Sequence, residues 1–451
     1  MKDGTSYDVD ETDSDAPSAA VFSMDDLEFE GEGTIYITGQ YNKGVFSKDD
    51  LEIKGGSIYV AAVDDGIRGK DSIEMTGGMV YIASSADGMR TSNETDADKG
   101  YILIDGGEIY IEAEQDAIQA VTTLTVNGGD FVLVSGGGSE NAEQKASEFM
   151  GGGMGGRGGM QMGGSASTTS ESDDTASAKG MKAASALTVT GGTFSIDSDD
   201  DAIHCNGTAD LSGGTFEIAA GDDAVHADDT LNVTGGTISV SGSYEGLEAA
   251  NLNISGGDIH ITASDDGLNA AGGNDSSQAN GRMGGDPFSQ STGSMSISGG
   301  YVVIEASGDG VDANGTIAMT GGTVLVYCPN SNGTAALDYD GQFTVEGGTL
   351  LAVGGSGMAQ SVSASGQGVL AFTSNMSAGE LLHIADSSGS EILTFASPMD
   401  YSAVVYSSPD VPSGASCTVS SGGSYSSEAV DGIYSGGTYS GGSELGTVMA
   451  S

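Results

Sequence analysis

Pairs of adjacent glycines recur along the chain, most often 22 residues apart. The pairs begin at Gly55, Gly77, Gly106, Gly128, Gly191, Gly213, Gly235, Gly256, Gly299, Gly321 and Gly347. Apolar and polar residues alternate on both sides of each pair, as in Leu187-Thr188-Val189 before Gly191 and Thr193-Phe194-Ser195-Ile196 after Gly192. Such alternation around a glycine turn is typical of two short strands, each with one apolar face. A fixed period of this length predicts a repeat architecture.

A second motif lies about twelve residues before most of the glycine pairs and consists of an acid, Gly or Ala, an apolar residue, a variable residue and a small residue. Its copies start at Asp65, Asp87, Asp116, Asp201, Asp223, Glu245, Asp266 and Asp309, with degenerate copies at Ala19, Lys43, Lys179 and Ala335. Twelve units of about three short strands each predict an all-β protein, a parallel β-helix of about 12 coils. The apolar position predicts an inward ladder of Ile67, Met89, Ile118, Ile203, Val225, Leu247, Leu268 and Val311.

The repeat divides the chain into four predicted segments. They are an acidic, flexible N-terminal segment at 1–18 without the apolar run of a signal peptide, the β-helix at 19–360, a C-terminal β cap at 361–420, and a flexible tail rich in Gly, Ser and Tyr at 421–451. Flexible insertions are expected at 136–178 and 271–293. The first contains Met150, Met154, Met160 and Met162, for which a low-complexity loop is the simpler interpretation and soft-metal binding the alternative.

Charge excludes several function classes. The chain has 65 acids against 13 Lys and Arg, a formal net charge of −52. A nucleic-acid reader or a protein that docks on anionic membranes needs clustered cations, and no apolar stretch is long enough to span a bilayer. This composition alone is typical of a disordered chain. In a repeat protein, however, neighbouring coils complete each other's core, so few apolar residues per coil suffice to form it. The three cysteines form neither a disulfide framework nor a zinc motif, and Cys205 is interpreted as a corner residue.

Stacked coils would place the acids of the second motif about 5 Å apart in a column. The resulting repulsion is relieved by raised pKa values, by solvent screening or by a bound cation. Oxygen ligands without cysteine favour Ca²⁺, while an anionic outer face on turns that favour Asp is the alternative. The predicted calcium ligands are Asp64, Asp65, Asp87, Asp116, Asp200, Asp201, Asp222, Asp223, Glu245, Asp265, Asp266, Asp309 and Asp312.

Two further columns contain candidate binding residues. His204 and His226 occupy consecutive outward positions and are followed by Glu248, which leaves a transition-metal pair open, although two stacked surface imidazoles are the simpler interpretation. The outward Tyr36, Tyr59, Tyr81 and Tyr110 predict a flat aromatic stripe suited to sugar rings. The alternative is that aromatic side chains pair well along any sheet face.

Several segments resemble the clostridial carbohydrate-binding β-helix family. They are Tyr41 to Leu51, Asp64 to Asp71, Asp201 to His204 and Ser264 to Asp275, and the resemblance covers roughly residues 16 to 410. It implies a right-handed β-helix that carries Ca²⁺ and binds acidic plant-wall polysaccharide such as polygalacturonate without cleaving it, at the cell surface or secreted. We expect a monomer. The long Gly/Met insertion and the absence of a signal peptide and first strands depart from the family pattern.

Two alternatives to binding remain. Parallel β-helices also include calcium-dependent pectate lyases, an argument from fold alone. Arg68 and Arg90, beside Asp65 and Asp87 on adjacent coils, would then be the candidate bases, although arginine is essentially always protonated. The other alternative is a structural surface spacer or adhesin.

Overall fold

The computed structural model describes residues 1–6, 16–142, 177–270 and 293–451. Most of both predicted insertions, including Met150, Met154, Met160 and Met162, and part of the acidic N-terminal segment therefore lie outside the described residues. Within the described part, the protein is all-β, and its one helical element is the short 3-10 turn Ser139–Asn141. No helix there is long and apolar enough to cross a membrane.

Each coil contributes up to three strands, which we call the motif strand, the middle strand and the broad-sheet strand in chain order. The motif strands are Ala19–Ser23, Lys43–Ser47, Ile67–Gly69, Met89–Thr91, Ile118–Ala120, Met181–Ala183, Ile203–Cys205, Leu268–Ala270, Val311–Ala313 and Leu337–Tyr339. The middle strands are Leu27–Phe29, Asp50–Ile53, Ser72–Met75, Tyr101–Ile104, Thr123–Val126, Ala186–Val189, Thr208–Leu211, Ser294–Ile297, Thr316–Met319, Phe343–Val345 and Ser363–Ala364. Val225–Val233 and Leu247–Ile254 run through both positions.

The broad sheet is the most regular surface of the molecule. Its parallel strands are Thr34–Gly39, Ser57–Ala62, Met79–Ser84, Glu108–Ala113, Asp130–Ser135, Thr193–Ser198, Thr215–Ala220, Thr237–Ser243, Asp258–Ala263, Tyr301–Ala306, Thr323–Tyr327 and Thr349–Gly354. Pairing such as Ile203 with Val225 and Leu187 with Ala209 keeps the 22-residue period. The coils therefore stack into a parallel β-solenoid of about 13 turns, which confirms the predicted fold class and period.

The glycine pairs form the turns between middle and broad-sheet strands. The second glycine of each pair has a positive φ, for example 90° at Gly78, where a Cβ would lie 2.8 Å from the Gly55 carbonyl carbon on the preceding coil. Only glycine fits a left-handed position with the next backbone so close. The period therefore comes from a steric requirement repeated once per coil.

The core is a continuous column of inward side chains. Every residue of the predicted inward ladder is fully buried, and Cys205 is buried at its corner as predicted. On the broad-sheet side, Phe131, Phe194 and Phe216 stack inside the solenoid with ring centroids 4.6 and 4.5 Å apart. Ring stacking on successive coils combines apolar burial with a favourable aromatic geometry.

The C-terminal cap covers the last coil with antiparallel strands. They are Gly368–Met376, Leu382–Ala385, Glu391–Phe395, Tyr401–Ser408, Ser416–Ser421, Ser424–Tyr425, Ala429–Val430, Ile433–Tyr434, Tyr439–Ser440 and Ser443–Met449. Tyr401–Ser408 pairs with the last broad-sheet strand, Thr349–Gly354, and so closes that edge.

Residues 421–451 differ from the flexible tail we expected. Strand Ser443–Met449 pairs along its length with Ser416–Ser421, and a hairpin turns at Asp431 and Gly432. Both turn residues have positive φ, 49° and 79°. An Asp-Gly pair favours this tight hairpin turn, so the segment is the outer part of the cap.

Candidate functional site

The four predicted tyrosines form a stacked ladder on the outer face of the broad sheet. Tyr36, Tyr59, Tyr81 and Tyr110 are directly in register on four consecutive strands. Their ring centroids are separated by 4.8, 6.0 and 6.3 Å along the series. Tyr36 is 64% exposed and Tyr81 42% exposed, whereas the other two are half-buried between their neighbours. We call these four residues the tyrosine ladder.

The flanks of the tyrosine ladder differ on its two sides. Ala61 and Ala83 lie in register two positions further along their strands, whereas on the other side Met79 Sδ lies 3.6 Å from the Tyr59 hydroxyl. The next residue in the tyrosine column is Val132, and the four positions after it are polar, from Ser195 to His260. The ladder is therefore a bounded column of stacked rings, amphipathic because each ring also carries a hydroxyl.

The motif strands carry two parallel columns three residues apart in sequence. The acid column contains Lys43, Asp65, Asp87, Asp116, Lys179, Asp201, Asp223, Glu245, Asp266 and Asp309. The partner column contains Arg68, Arg90, Gln119, Lys182, His204, His226, Glu248, Asn269, Asp312 and Asp338, in register from coil to coil.

Acids of the acid column bind the backbone of the next coil. Asp87 Oδ1 accepts a hydrogen bond from the N–H of Asp116 at 3.1 Å, and Asp201 Oδ1 accepts one from the N–H of Asp223 at 3.1 Å. Further along, Asp266 accepts from the N–H of Asp309 at 2.6 Å. Asp65, Asp87, Asp116, Asp201 and Asp223 are buried. The fixed position of these acids therefore has a structural cause in coil stacking, which the sequence analysis missed although the spacing carried the signal.

In the first part of the columns, basic residues balance the acids. Arg68 donates to Asp65 at 3.1 Å and Arg90 to Asp87 at 2.9 Å, so both candidate lyase bases are held in ion pairs. The two columns contain five acids and five Lys or Arg from Lys43 through His226; these are Asp65, Asp87, Asp116, Asp201 and Asp223 against Lys43, Arg68, Arg90, Lys179 and Lys182. We call this part the balanced section.

The buried Lys179 forms the shortest ion pair of the balanced section. Lys179 Nζ lies 2.5 Å from Asp201 Oδ2 and 2.9 Å from Asp200 Oδ1, and only 3% of its side chain is exposed. Although burial alone would raise it, the ammonium of Lys179 and the ring of His204 hold the pKa of Asp201 well below its usual range. Asp87 differs, because burial and the neighbouring Asp116 raise its pKa to about 7 in spite of Arg90.

From Glu245 onward the columns carry acids without Lys or Arg. These acids are Glu245, Glu248, Asp266, Asp309, Asp312 and Asp338, and no Lys or Arg among the described residues forms an ion pair with them. Burial and repulsion from neighbouring carboxylates raise the pKa of Asp266 to about 9, that of Glu245 to about 8 and that of Asp312 to about 7. We call this part the acidic section.

The predicted calcium ligands are thus divided among three environments. Asp64 pairs with Lys43 at 2.7 Å, and Asp65, Asp87 and Asp201 have the partners described above. Asp116 lies 3.5 Å from Lys182, and Asp223 lies 3.0 Å from His226. Asp200, Asp201 and Asp222 bring carboxylate oxygens within 4.8 Å of one another beside Lys179. Asp265 adjoins Asp266 and contributes to its raised pKa. The acidic section is where the carboxylates have no Lys or Arg partner among the described residues.

His204 and His226 lie inside the turn, not on the surface as the simpler interpretation held. Their side chains are 3% and 1% exposed, and their rings stack with centroids 5.0 Å apart. His204 Nδ1 lies 2.7 Å from Asp201 Oδ2 and His226 Nδ1 lies 3.0 Å from Asp223 Oδ2. Both histidines thus occupy the position that Arg68 and Arg90 occupy on earlier coils.

A long parallel solenoid with an exposed aromatic ladder defines a repeat protein with an extended binding surface. The chain belongs to the carbohydrate-binding domain-containing protein family, whose model matches residues 1–224 and again residues 222–443. A similar protein, described as a carbohydrate-binding domain-containing protein of Acetivibrio thermocellus, is 44% identical over 140 residues. The match covers 31% of this chain and 49% of that relative, so it spans about half of the relative's length. No solved structure matches the chain.

Proposed function

We propose that the protein binds an acidic polysaccharide of the polygalacturonate type, without cleaving it, in a Ca²⁺-dependent manner outside the cell or at its surface. The observation that carries this proposal is the tyrosine ladder, displayed on the flat face of a chain from a carbohydrate-binding family. Four rings in register offer a row of contacts to successive sugar units, which suits a polymer better than a single sugar.

Charge supports the calcium part of the proposal. A chain with a formal charge of −52 repels a polyuronate, so contact between them needs bridging cations. Ca²⁺ is bound by carboxylates in flexible geometry with six to eight oxygens, and it leaves room for ligands from a second partner. In the acidic section, Asp265, Asp266, Asp309 and Asp312 are the acids we propose to hold it, because their mutual repulsion lacks a basic partner.

Retention of the full-length chain on immobilised polygalacturonate tests both parts. Binding is expected in Ca²⁺ and is expected to be lost in excess chelator. Tyr59→Ala and Tyr81→Ala should each weaken binding about 3- to 10-fold, because an aromatic contact contributes about 0.5–1.5 kcal/mol beyond its buried area. Val132→Ala is the matched control, since Val132 is an exposed apolar residue in the same column one coil beyond Tyr110.

The outcomes separate the parts of the proposal. Undiminished retention in chelator contradicts the calcium dependence alone, and unchanged retention of the Tyr59→Ala, Tyr81→Ala double variant contradicts the tyrosine ladder as the binding surface. A glycan array without a hit, with and without Ca²⁺, would favour a spacer or adhesin.

Lyase activity is the enzymatic alternative, and the adjacent Arg68 and Arg90 are the feature that favours it. Both guanidinium groups are held in ion pairs with Asp65 and Asp87, which argues against a role as base. An assay for unsaturated products that absorb in the ultraviolet decides between binding and cleavage.

A further inference from the structure

The columns change from basic to acidic at one point, where His226 is surrounded by carboxylates. In the partner column, Lys182 and His204 precede His226, and Glu248 follows it. His226 Nδ1 lies 2.8 Å from Glu248 Oε2 and 3.0 Å from Asp223 Oδ2. Two carboxylate oxygens therefore share one ring nitrogen, which carries at most one proton.

The two carboxylates also face each other. Asp223, His226 and Glu248 bring one ligand atom each within 4.8 Å of one another, and all three residues are buried. Carboxylates in contact need a proton or a cation between them, because burial strengthens their repulsion. The ring nitrogen Nδ1 lies between the two acids, and a divalent cation in place of its proton would contact both carboxylates and the imidazole.

We propose that Asp223, His226 and Glu248 bind a divalent transition metal of the zinc class. A tetrahedral zinc ion with bonds of about 2.0–2.1 Å has ligand atoms about 3.3 Å apart, close to the two distances from His226 Nδ1. An imidazole nitrogen favours zinc-class ions over Ca²⁺, which takes oxygen ligands. The site therefore differs in chemistry from the proposed calcium ligands of the acidic section.

A carboxylate on the far side of the ring supports the same assignment. His226 Nε2 lies 3.2 Å from Asp228 Oδ1, so the ring is oriented by an acid opposite the nitrogen that would bind the metal. Metal-ligating histidines usually donate their second ring N–H to such a carboxylate or to a carbonyl. The side chain of Asp228 is 33% exposed, which places the site just below the surface.

The preceding coil offers further donors. Asp201, His204 and His226 bring one ligand atom each within 4.8 Å of one another. The two groups share His226, so the donors of the two coils lie next to each other.

The test uses chelator-treated, full-length protein titrated with Zn²⁺ in a calorimeter and with Co²⁺ in a spectrophotometer. Saturable binding of Zn²⁺ at one site and visible Co²⁺ absorption bands are expected, together with retention of Zn²⁺ in excess Ca²⁺. His226→Gln should abolish both signals. His260→Gln should leave them unchanged, because His260 lies beside Asp258 on the exposed broad sheet and offers a matched histidine–aspartate pair.

Glu248→Gln keeps the proposal testable if His226→Gln does not fold, as judged by circular dichroism. It preserves the size of the side chain and should weaken Zn²⁺ binding at least tenfold. The proposal is overturned if Zn²⁺ does not bind, if both variants bind it as the parent does, or if Ca²⁺ displaces it. The readout is metal binding alone, so it does not depend on polysaccharide binding.

Discussion

The balanced and acidic sections of the turn columns share one backbone and differ in how charge is placed on it. In the balanced section, Asp65 and Asp87 each have an arginine three residues later. In the acidic section the same spacing joins Asp309 to Asp312, acid to acid. Asp201 and Asp266 still accept the same kind of hydrogen bond from the next coil. The hydrogen bond fixes the acid, and a basic residue three positions on, as at Asp65 and Asp87, or on a neighbouring coil, as Lys179 for Asp201, neutralises its charge within the chain.

This difference separates two roles for one motif. Where a base follows, the acid is part of the scaffold and its lone pairs are occupied. Where no base follows, burial and repulsion raise the pKa values of the carboxylates, so a proton or a cation is favoured there. In the balanced section, Asp87 shares a raised pKa in spite of Arg90. Perturbed carboxylates grouped in this way are typical of functional sites, although structural networks also perturb them.

Neutralising one acid in each section should give the largest difference in the free energy of unfolding between the two sections. Asp201→Asn leaves Lys179 buried with half of its ion-pair partners, and removal of one partner of a buried pair costs about 3–5 kcal/mol. Asp266→Asn should change the free energy of unfolding by about 1 kcal/mol or less, because the pKa of about 9 keeps Asp266 protonated at pH 7 and the amide still accepts the N–H of Asp309.

Urea unfolding at pH 7 in excess chelator measures both variants. Equal losses in the two variants would show that the hydrogen bond to the next coil, and not the charge environment, determines the cost.

A basic residue introduced into the acidic section should stabilise the fold, because it gives an acid there the kind of partner that the acids of the balanced section have. Asp312→Lys places an ammonium three residues after Asp309, as Arg90 follows Asp87, and it removes the repulsion between two acids. At pH 8 we expect the free energy of unfolding to rise by about 1.5–3 kcal/mol, the range for a hydrogen bond to a charged group. Asp130→Lys on the exposed broad sheet makes the same change of charge and should shift it by at most about 0.5 kcal/mol. A similar gain in both variants would attribute the effect to overall charge.

The sequence predicted the solenoid because its constraints repeat. A left-handed glycine next to the preceding coil and an inward apolar residue recur every 22 residues, and the register follows from that period. The tyrosine ladder was predictable for the same reason, since Tyr59 and Tyr81 lie at equal positions of consecutive coils.

The environment of the acids could not be predicted in the same way. The burial of Asp201 and its contact with Lys179 depend on how tightly the turn packs, and an outward ladder and a buried column have the same sequence pattern. The pairing of Arg68 with Asp65 could have been found from the three-residue spacing that recurs in the motif. The strands of residues 421–451 were missed because a segment rich in Gly and Ser lacks the alternation that marks the earlier strands.

The acidic section should also determine how the free energy of unfolding depends on pH. Of the expected effects, the change per pH unit is the smallest. The pKa values of Asp266, Glu245 and Asp312 are raised in the folded state, so the folded chain holds more protons than the unfolded chain from about pH 4 up to about pH 9. The free energy of unfolding therefore falls as pH rises across this range, by at most about 1.4 kcal/mol per pH unit for each group. Asp201, whose pKa is lowered, acts in the opposite direction and destabilises the fold only when the pH falls below the usual range of a carboxyl group.

Unfolding midpoints in urea from pH 5 to pH 9, measured in chelator, should show this decline. The Asp266→Asn, Asp312→Asn double variant should flatten it, because two of the groups that take up protons on folding are gone, while Asp87, with a pKa of about 7, keeps part of the slope. Saturating Ca²⁺ should flatten the profile of the parent chain as well, since a bound cation replaces the protons. A slope that neither the double variant nor Ca²⁺ changes would locate the pH dependence outside the acidic section and remove its distinction from the balanced one.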